Sequence, residues 1–300
     1  MGLKVGVVGL NFGKRFAQLF DAHPLCDEVV LCDLREEKIK ETVEEHAIAG
    51  RTASSLEELL RMDVDAVALF TQRWTHGPQA IEALKAGKHV YSAVPAAVTV
   101  EELGELVETV EETGLTYCLG ETSFYRPQTI WCRRRFAAGD FGEFVYGEGH
   151  YHHNMSHWFY LPFYDANGPQ WKKFASVPPM WYPTHSVSHV LGVTFSRFTK
   201  VSCFGRVDRH EDGLFDPQLS YFDNPWSNQS ALFQTADGGM ARINEFRRTA
   251  AGESRQSIIG TLGAYEEQCN PRRGEVTVQQ QMDGAEGEAE ETAQSEAVWT

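Results

Sequence analysis

The chain has 300 residues, 42% of them hydrophobic, which is enough for one large or two ordinary domains with buried cores. Its formal net charge of −15 argues against binding to nucleic acid or to an anionic membrane surface, because phosphate groups would repel it. The six cysteines lie far apart and include no Cys-x-x-Cys pair, so neither a zinc ribbon nor a disulfide framework is indicated.

The first half of the chain alternates short apolar runs with amphipathic stretches. The apolar run at residues 3–8 is too short for a signal or membrane helix, which favours a cytoplasmic protein. Predicted strands are 3–8, 29–32, 66–70, 89–92 and 115–119, and predicted helices are 14–22, 36–45, 77–86 and 101–113. This alternation predicts a doubly wound parallel sheet of the Rossmann type over residues 1–121.

The second half has a different composition. From Tyr125 to Pro183 aromatic residues, histidines, prolines and glycines are dense, and β-patterned runs follow at 144–151, 200–207, 230–235 and 240–246. We therefore predict an α+β domain with a mainly antiparallel sheet over residues 122–282, serving substrate binding and oligomerisation. Residues 283–300 form an acidic, low-complexity tail that is too poor in apolar side chains to fold alone.

A glycine-containing turn separates the first predicted strand from the first helix. Gly9, Asn11, Phe12 and Gly13 form an imperfect Gly-x-Gly-x-x-Gly pattern, which brings backbone N–H groups to a pyrophosphate. Asp33 ends the second strand, near the offset of about 20 residues at which a carboxylate receives the adenosine ribose. A helix-capping aspartate is the alternative. The acidic side chain favours NAD over NADP, although nearby Arg35 keeps NADP open.

The segments Val64–Val67 and Gly87–Pro95 resemble the Gfo/Idh/MocA family of sugar and polyol oxidoreductases. The resemblance extends from residue 3 to about residue 270 and implies an NAD(P)-dependent enzyme that moves a hydride between a sugar or polyol carbon and nicotinamide, with Pro95 at the cofactor. In the family this strand is followed by Glu-Lys-Pro, whose lysine contacts the reacting hydroxyl. Here Val94 replaces the lysine, and a valine cannot transfer a proton.

Further segments are similar to one branch of that family, the NAD-dependent N-acetylgalactosaminidases of glycoside hydrolase family 109. They are Val94–Thr99, Glu105–Glu108, Glu121 with Tyr125, Tyr151 with His153, and Tyr182–His185. This resemblance implies a redox-neutral glycosidase, in which transient oxidation of the sugar makes a ring proton acidic. Tyr151 would then be the base, His185 would lie beside the reacting hydroxyl or water, and Glu121, His153 and Tyr182 would contact the sugar.

Several alternatives remain open on the residues alone. His150 with His152 and His185 with His189 could hold a metal, although no Glu or Cys stands at ligand spacing, and our prediction is that there is none. Lys172 or Lys173 could replace the missing lysine. The aromatic stretch Trp158–Tyr164 would suit either a sugar ring or a partner chain. The loss of the lysine also permits a non-catalytic NAD-binding sensor. Family resemblance implies a homodimer or homotetramer.

Overall fold

The computed structural model describes residues 2–48, 50–153, 168–249, 253–267 and 276–280. Its contacts divide the chain into two compact units, Met1–Gly120 and the part from Glu121 onward. The aromatic stretch Trp158–Tyr164 and the predicted tail at 283–300 lie outside the described residues. Within the described ranges, no helix is both long enough and apolar enough to cross a membrane.

The first unit is built on a six-stranded parallel sheet with the order β3-β2-β1-β4-β5-β6. Its strands are β1 Leu3–Val8, β2 Cys26–Cys32, β3 Thr52–Ala53, β4 Ala66–Leu69, β5 His89–Ser92 and β6 Tyr117–Leu119. Its helices are α1 Leu10–Asp21, α2 Glu36–His46, α3 Leu56–Leu60, α4 His76–Lys85 and α5 Val100–Thr113. The predicted doubly wound sheet is confirmed. Its order reverses between β1 and β4, the switch point at which such sheets bind nucleotides.

Local sequence explains why these elements pack as they do. The valines of β1 are buried, and both faces of the sheet carry apolar clusters. Gly6 allows Leu59 to contact the strand, because a Cβ at Gly6 would lie 2.6 Å from Leu59 Cδ2. Helix α5 is capped by Thr99, whose hydroxyl accepts from Glu102 N at 3.1 Å, and it ends at Gly114 with φ 64°.

The start of the first helix differs from the prediction. Helix α1 begins at Leu10 and not at Lys14, so Asn11, Phe12 and Gly13 lie in its first turn. The reason is that Gly9 alone, with φ 89°, reverses the chain after β1. The predicted glycine turn is therefore shortened to a single left-handed residue at the helix N-terminus.

The described strands of the second unit form a seven-stranded sheet with the order β13-β12-β11-β7-β10-β9-β8. These are β7 Phe144–His152, β8 Phe198–Val207, β9 Trp226–Thr235, β10 Met240–Phe246, β11 Glu253–Gly260, β12 Gly263–Glu267 and β13 Val276–Gln280. Strands β7 and β10 pair in parallel and the other neighbours pair antiparallel, which confirms the mainly antiparallel sheet. The three strands after Phe246 were not predicted from the sequence.

Helices cover one face of this second sheet. They include α6 Pro127–Ala137 and α8 Thr184–Thr194, while the short helix α7 Trp171–Ala175 packs on a separate loop cluster. Glycines of β7 let α8 approach closely, since a Cβ at Gly149 would lie 1.9 Å from the carbonyl oxygen of Ser186. The other face exposes Phe204, Leu232 and Met240, whose side chains are 80%, 49% and 47% exposed.

Candidate active site

The turn between β1 and α1 has the shape that a dinucleotide site requires. A side chain at Gly9 would place its Cβ 2.7 Å from the carbonyl oxygen of Phe70, so only glycine fits there. The first N–H groups of a helix have no partner within the helix and attract anions. Gly13 packs directly on the Phe70 ring, and Phe12 is 52% exposed on the same turn. The residues present therefore fit a bound pyrophosphate.

Asp33 caps α1 in this structure. Its Oδ2 accepts from Leu10 N at 2.8 Å, and its Oδ1 accepts from Arg35 N at 3.0 Å. The Arg35 guanidinium lies 3.5 Å from the same carboxylate. Asp33 therefore does cap the helix, as the alternative interpretation predicted. Its carboxylate also lies at the carboxyl end of β2, which is the position that a ribose-binding carboxylate requires.

Val94 and Pro95 follow β5 at the same edge of the first sheet. The buried imidazole of His76 holds this segment, since its Nδ1 lies 2.9 Å from the Pro95 carbonyl oxygen and its Nε2 lies 3.1 Å from that of Thr71. Burial lowers the pKa of His76, which favours a neutral ring with one N–H to donate. His76 thereby links the loops that follow β4 and β5, which the sequence analysis did not recognise.

The second unit brings Glu121 and His185 together across 64 positions of sequence. Glu121 is 4% exposed, and its Oε1 lies 2.7 Å from His185 Nδ1 and accepts from Ser123 N at 2.7 Å. The carboxylate fixes the imidazole tautomer with the proton on Nδ1, so Nε2 is left as a base. Glu121 Oε2 is buried and has no hydrogen-bond partner among the described residues, which provides an acceptor for a donor on a ligand.

Tyr151 and Tyr182 contact the same imidazole, and His153 contacts Tyr151. The Tyr151 ring centroid lies 4.8 Å from that of His185 and 5.5 Å from that of His153. Tyr182, in the segment before α8, contacts His185 edge-on with ring centroids 6.1 Å apart. Five residues predicted from sequence, Glu121, Tyr151, His153, Tyr182 and His185, therefore form one cluster.

A buried ion pair beneath this cluster was not predicted. Glu245 and Arg247, at the end of β10, are 1% and 6% exposed, and Arg247 Nη2 lies 2.8 Å from Glu245 Oε2. Ser186 Oγ donates to Glu245 Oε1. No local signal could have found it, because Glu245 and Arg247 alternate with Phe246 in a pattern that also fits a solvated strand face.

The histidines considered for a metal have other partners. His150 Nε2 lies 3.0 Å from Glu148 Oε2, and His189 Nε2 lies 3.1 Å from Ser254 Oγ. Among the described residues no group of three or more His, Cys, Asp or Glu is placed to hold a metal ion. Lys172, a candidate for the missing lysine, donates to the carbonyl oxygen of Asp212 at 2.7 Å.

Comparisons with known proteins concern the family and the fold of the chain. The Gfo/Idh/MocA model, described as an oxidoreductase family with an NAD-binding Rossmann fold, matches residues 3–121. A glycosyl hydrolase family 109 protein of Shewanella sp. strain ANA-3 is 27% identical over 286 residues, which cover 87% of this chain and 61% of that protein. Another, of Streptomyces filamentosus, is 28% identical over 289 residues, with coverages of 88% and 58%. The chain spans about six tenths of the length of these relatives.

Solved structures show the same fold. Apo scyllo-inositol dehydrogenase of Lactobacillus casei has a TM-score of 0.71 at 19% identity and covers 87% of this chain and 73% of its own. UDP-N-acetylglucosamine 3-dehydrogenase of Acidithiobacillus ferrooxidans has the same TM-score and identity, with coverages of 94% and 80%. At these identities the likeness concerns the fold alone. Residues 3–121 therefore match the Gfo/Idh/MocA oxidoreductase family with its NAD-binding Rossmann fold, and most of the chain is similar to glycosyl hydrolase family 109 proteins.

Proposed function

We propose that this chain is an NAD-dependent enzyme that moves a hydride between a carbon of a sugar or polyol and nicotinamide. The observation that carries the proposal is the buried Glu121–His185 pair with Tyr151 beside it. Oxidation of an alcohol removes a hydride and a hydroxyl proton, so a base with a fixed tautomer is needed at the hydroxyl. His185 Nε2 is that base in our proposal.

The cofactor is NAD, held by the first unit. Gly9, Asn11, Phe12 and Gly13 would receive the pyrophosphate at the N-terminus of α1, and Asp33 would accept from the ribose hydroxyls. Pro95 would lie along the cofactor. NAD supplies a hydride acceptor when it is bound. The Asp33 carboxylate favours NAD over NADP, because it would repel an added 2′-phosphate.

The substrate in this proposal is a carbohydrate. Glu121 Oε2, His153 and Tyr182 offer acceptors and donors to its hydroxyl groups. Within the part of the chain that the structure describes, Glu121 Oε2 is buried without a partner, which favours a ligand that can donate to it. Tyr151 would be a second group that exchanges a proton with the substrate, beside His185 Nε2, and Glu121 keeps the donor and acceptor directions of His185 fixed.

A redox-neutral glycosidase is the second candidate. Two observations favour it: Val94 stands where the family's proton-transferring lysine is expected, and the curated relatives are named glycosyl hydrolase family 109 proteins. Removal of a hydride from a ring carbon would acidify the neighbouring C–H, and Tyr151 would take that proton. The glycosidic bond then breaks, water adds, and the proton and the hydride return to the sugar.

An assay with two readouts tests the proposal. The purified chain is mixed with NAD and a panel of inositols, free sugars and p-nitrophenyl glycosides, and both NADH and nitrophenol are measured. Accumulating NADH supports the dehydrogenase, and nitrophenol release without net NADH supports the glycosidase. Tight NAD binding with no conversion of any compound would favour the non-catalytic sensor and contradict the enzyme.

Variants locate the chemistry once a substrate is found. Tyr151→Phe and His185→Ala should each lower turnover by at least about 10²-fold, as expected when a general acid or base is lost, with NAD affinity unchanged. Tyr221→Phe and His210→Ala are matched controls on exposed side chains and should leave turnover as it is. Near-normal turnover in both site variants would return the search to Lys172 and Lys173.

We further propose that the chain forms a homodimer or homotetramer through the open face of the second sheet, with a second copy covering Phe204, Leu232 and Met240. Exposed apolar side chains grouped on one sheet face favour such a cover. Phe204→Glu combined with Leu232→Lys should reduce the mass measured by light scattering to that of a monomer. A monomeric parent protein at micromolar concentration would contradict this proposal.

A further inference from the structure

Arg247 is a buried cation directly beneath a tyrosine of the candidate site. It follows the last residue of β10 and is 6% exposed. Its Cζ lies 5.4 Å from the centroid of the Tyr151 ring. A guanidinium at this distance from an aromatic ring interacts with its π electrons, and it would interact more strongly with a deprotonated phenol.

The position of Arg247 is fixed by a short chain of contacts. Its Nη2 donates to Glu245 Oε2 at 2.8 Å and its Nη1 donates to the Phe246 carbonyl oxygen at 3.3 Å. Glu245 Oε1 accepts from Ser186 Oγ, and Ser186 follows His185 on α8. The contacts thus join the strand end under Tyr151 to the helix that carries His185.

The protonation of both partners follows from their surroundings. Burial opposes the charge of Arg247, yet the carboxylate of Glu245 and the hydroxyls of Tyr182 and Tyr151 hold its pKa above the ordinary value. Burial raises the pKa of Glu245, against the attraction of Arg247. The guanidinium therefore stays charged, whereas burial makes the Glu245 carboxylate easier to protonate.

We propose that Arg247 is a positioning residue that favours the ionised form of Tyr151, with Glu245 and Ser186 holding the guanidinium under the ring and tying it to α8. The inference rests on the proposed role of Tyr151 as a base. A free tyrosine, which titrates near pH 10, is ionised in only about one molecule in 10³ at neutral pH. An opposite charge near an ionisable group favours its charged form, and a shift of one pH unit raises the ionised fraction of a weakly ionised phenol about 10-fold.

Other charged and titratable groups also face this site. On β11 the residue opposite Tyr151 is Ser254, which does not titrate. The titratable and charged groups on the described elements packed around Tyr151 are His153, Tyr182, His185, His189, Glu121, Glu245 and Arg247. Glu245 works against ionisation of the tyrosine, so the two members of the ion pair have opposite effects that can be measured separately.

The test is a pH titration of the full chain by NMR, with tyrosine labelled at Cζ. Loss of one resonance in Tyr151→Phe identifies Tyr151. In Arg247→Gln the ionisation midpoint of Tyr151 should rise by at least about one pH unit, and in Glu245→Gln, which keeps the guanidinium, it should fall. Arg248→Gln is the matched control, because Arg248 is equally ion-paired, to Asp212, but lies over Phe215.

The outcomes separate this inference from the proposed function. If Arg247→Gln does not fold, the Glu245→Gln titration decides alone, and a midpoint equal to that of the parent overturns the inference. If Tyr151 ionises at the same pH in both folded variants as in the parent protein, the ion pair has only a structural role and the inference is wrong. Opposite shifts support the inference even where Tyr151→Phe keeps full turnover, a result that would contradict only the proposed base. In an active enzyme, Arg247→Gln should also move the rising limb of the kcat profile to higher pH.

Discussion

The two units build their candidate sites by different means. In the first unit the site consists mainly of backbone: one left-handed glycine, the first turn of α1, and a carboxylate that caps it from the end of the next strand. In the second unit it consists of buried side chains that come from the turn after β6, from β7, from α8 and from β10. A backbone site depends on a few conformations, whereas a side-chain site depends on every buried charge having its partner. Substitutions in the second unit should therefore reduce stability as well as activity.

The largest effect is expected at Glu245. Glu245→Ala would leave the Arg247 guanidinium buried without its carboxylate and would remove the acceptor of Ser186. Losing one partner of a buried ion pair typically costs about 3–5 kcal/mol, and we expect that loss in the free energy of unfolding measured with denaturant.

Two further variants test the reason for that loss. In Glu245→Leu with Arg247→Leu no unpaired charge remains, so most of the stability should return. Glu57→Ala removes an exposed carboxylate of an ion pair on α3 and should leave the unfolding curve unchanged. If Glu245→Ala lowers the free energy of unfolding by less than about 1 kcal/mol, the Arg247 guanidinium is hydrated in the variant. The proposed difference in stability between the two units would then be wrong.

Asp33 tests the backbone-built site. Asp33→Ala should weaken NAD binding by about 1.5–3 kcal/mol in a titration, because hydrogen bonds to a carboxylate are lost. Asp33→Asn separates the two roles of this side chain, since an amide oxygen can still accept from Leu10 N but carries no charge. If the residue only caps α1, the asparagine variant binds NAD normally. If Asp33 also binds the ribose, Asp33→Asn binds NAD more weakly, and the ratio of its affinities for NAD and NADP becomes smaller.

Sequence reasoning was most effective where function depends on nearby residues. Gly9, Asp33 and the alternation of strands and helices all belong to one β-α-β segment, so spacing alone places them. The exception was the start of α1. The pattern placed the turn over Gly9 to Gly13, but the left-handed conformation of one glycine, with the Asp33 cap, lets the helix begin four residues earlier.

Long-range pairing explains what the sequence could not show. Glu121 and His185 were each named from a family resemblance, but their contact at 2.7 Å follows from how α8 packs on Gly147 and Gly149 of β7. Nothing local indicated that Glu245 and Arg247 are buried, because a strand pattern with alternating charges also fits a solvated face. Which face is covered depends on the helices, and these come from other parts of the chain.

The smallest expected effect is a change in the free energy of unfolding with pH. It compares a buried histidine of the second unit with one of the first unit. His189 in the second unit is fully buried, and burial, together with the positive charges of Arg126, His185 and His150, lowers its pKa well below 6.5. Burial also lowers the pKa of His76 in the first unit. A histidine with a depressed pKa in the folded state stabilises the fold above about pH 6.5, and this contribution is lost as the pH falls, because the unfolded chain binds the proton more tightly.

The free energy of unfolding should therefore decrease below about pH 6.5, by up to about 1.4 kcal/mol per pH unit for each such histidine. His189→Gln, which can still reach Ser254, should flatten this slope between about pH 6.5 and 5. His76→Gln should flatten it less, because two carbonyl contacts partly support its protonated form. His210→Gln, on an exposed side chain, is the control and should follow the parent. If the free energy of unfolding has the same pH dependence in the parent and in His189→Gln, water must reach the buried face of α8. The candidate site in the second unit would then be more hydrated than its contacts indicate.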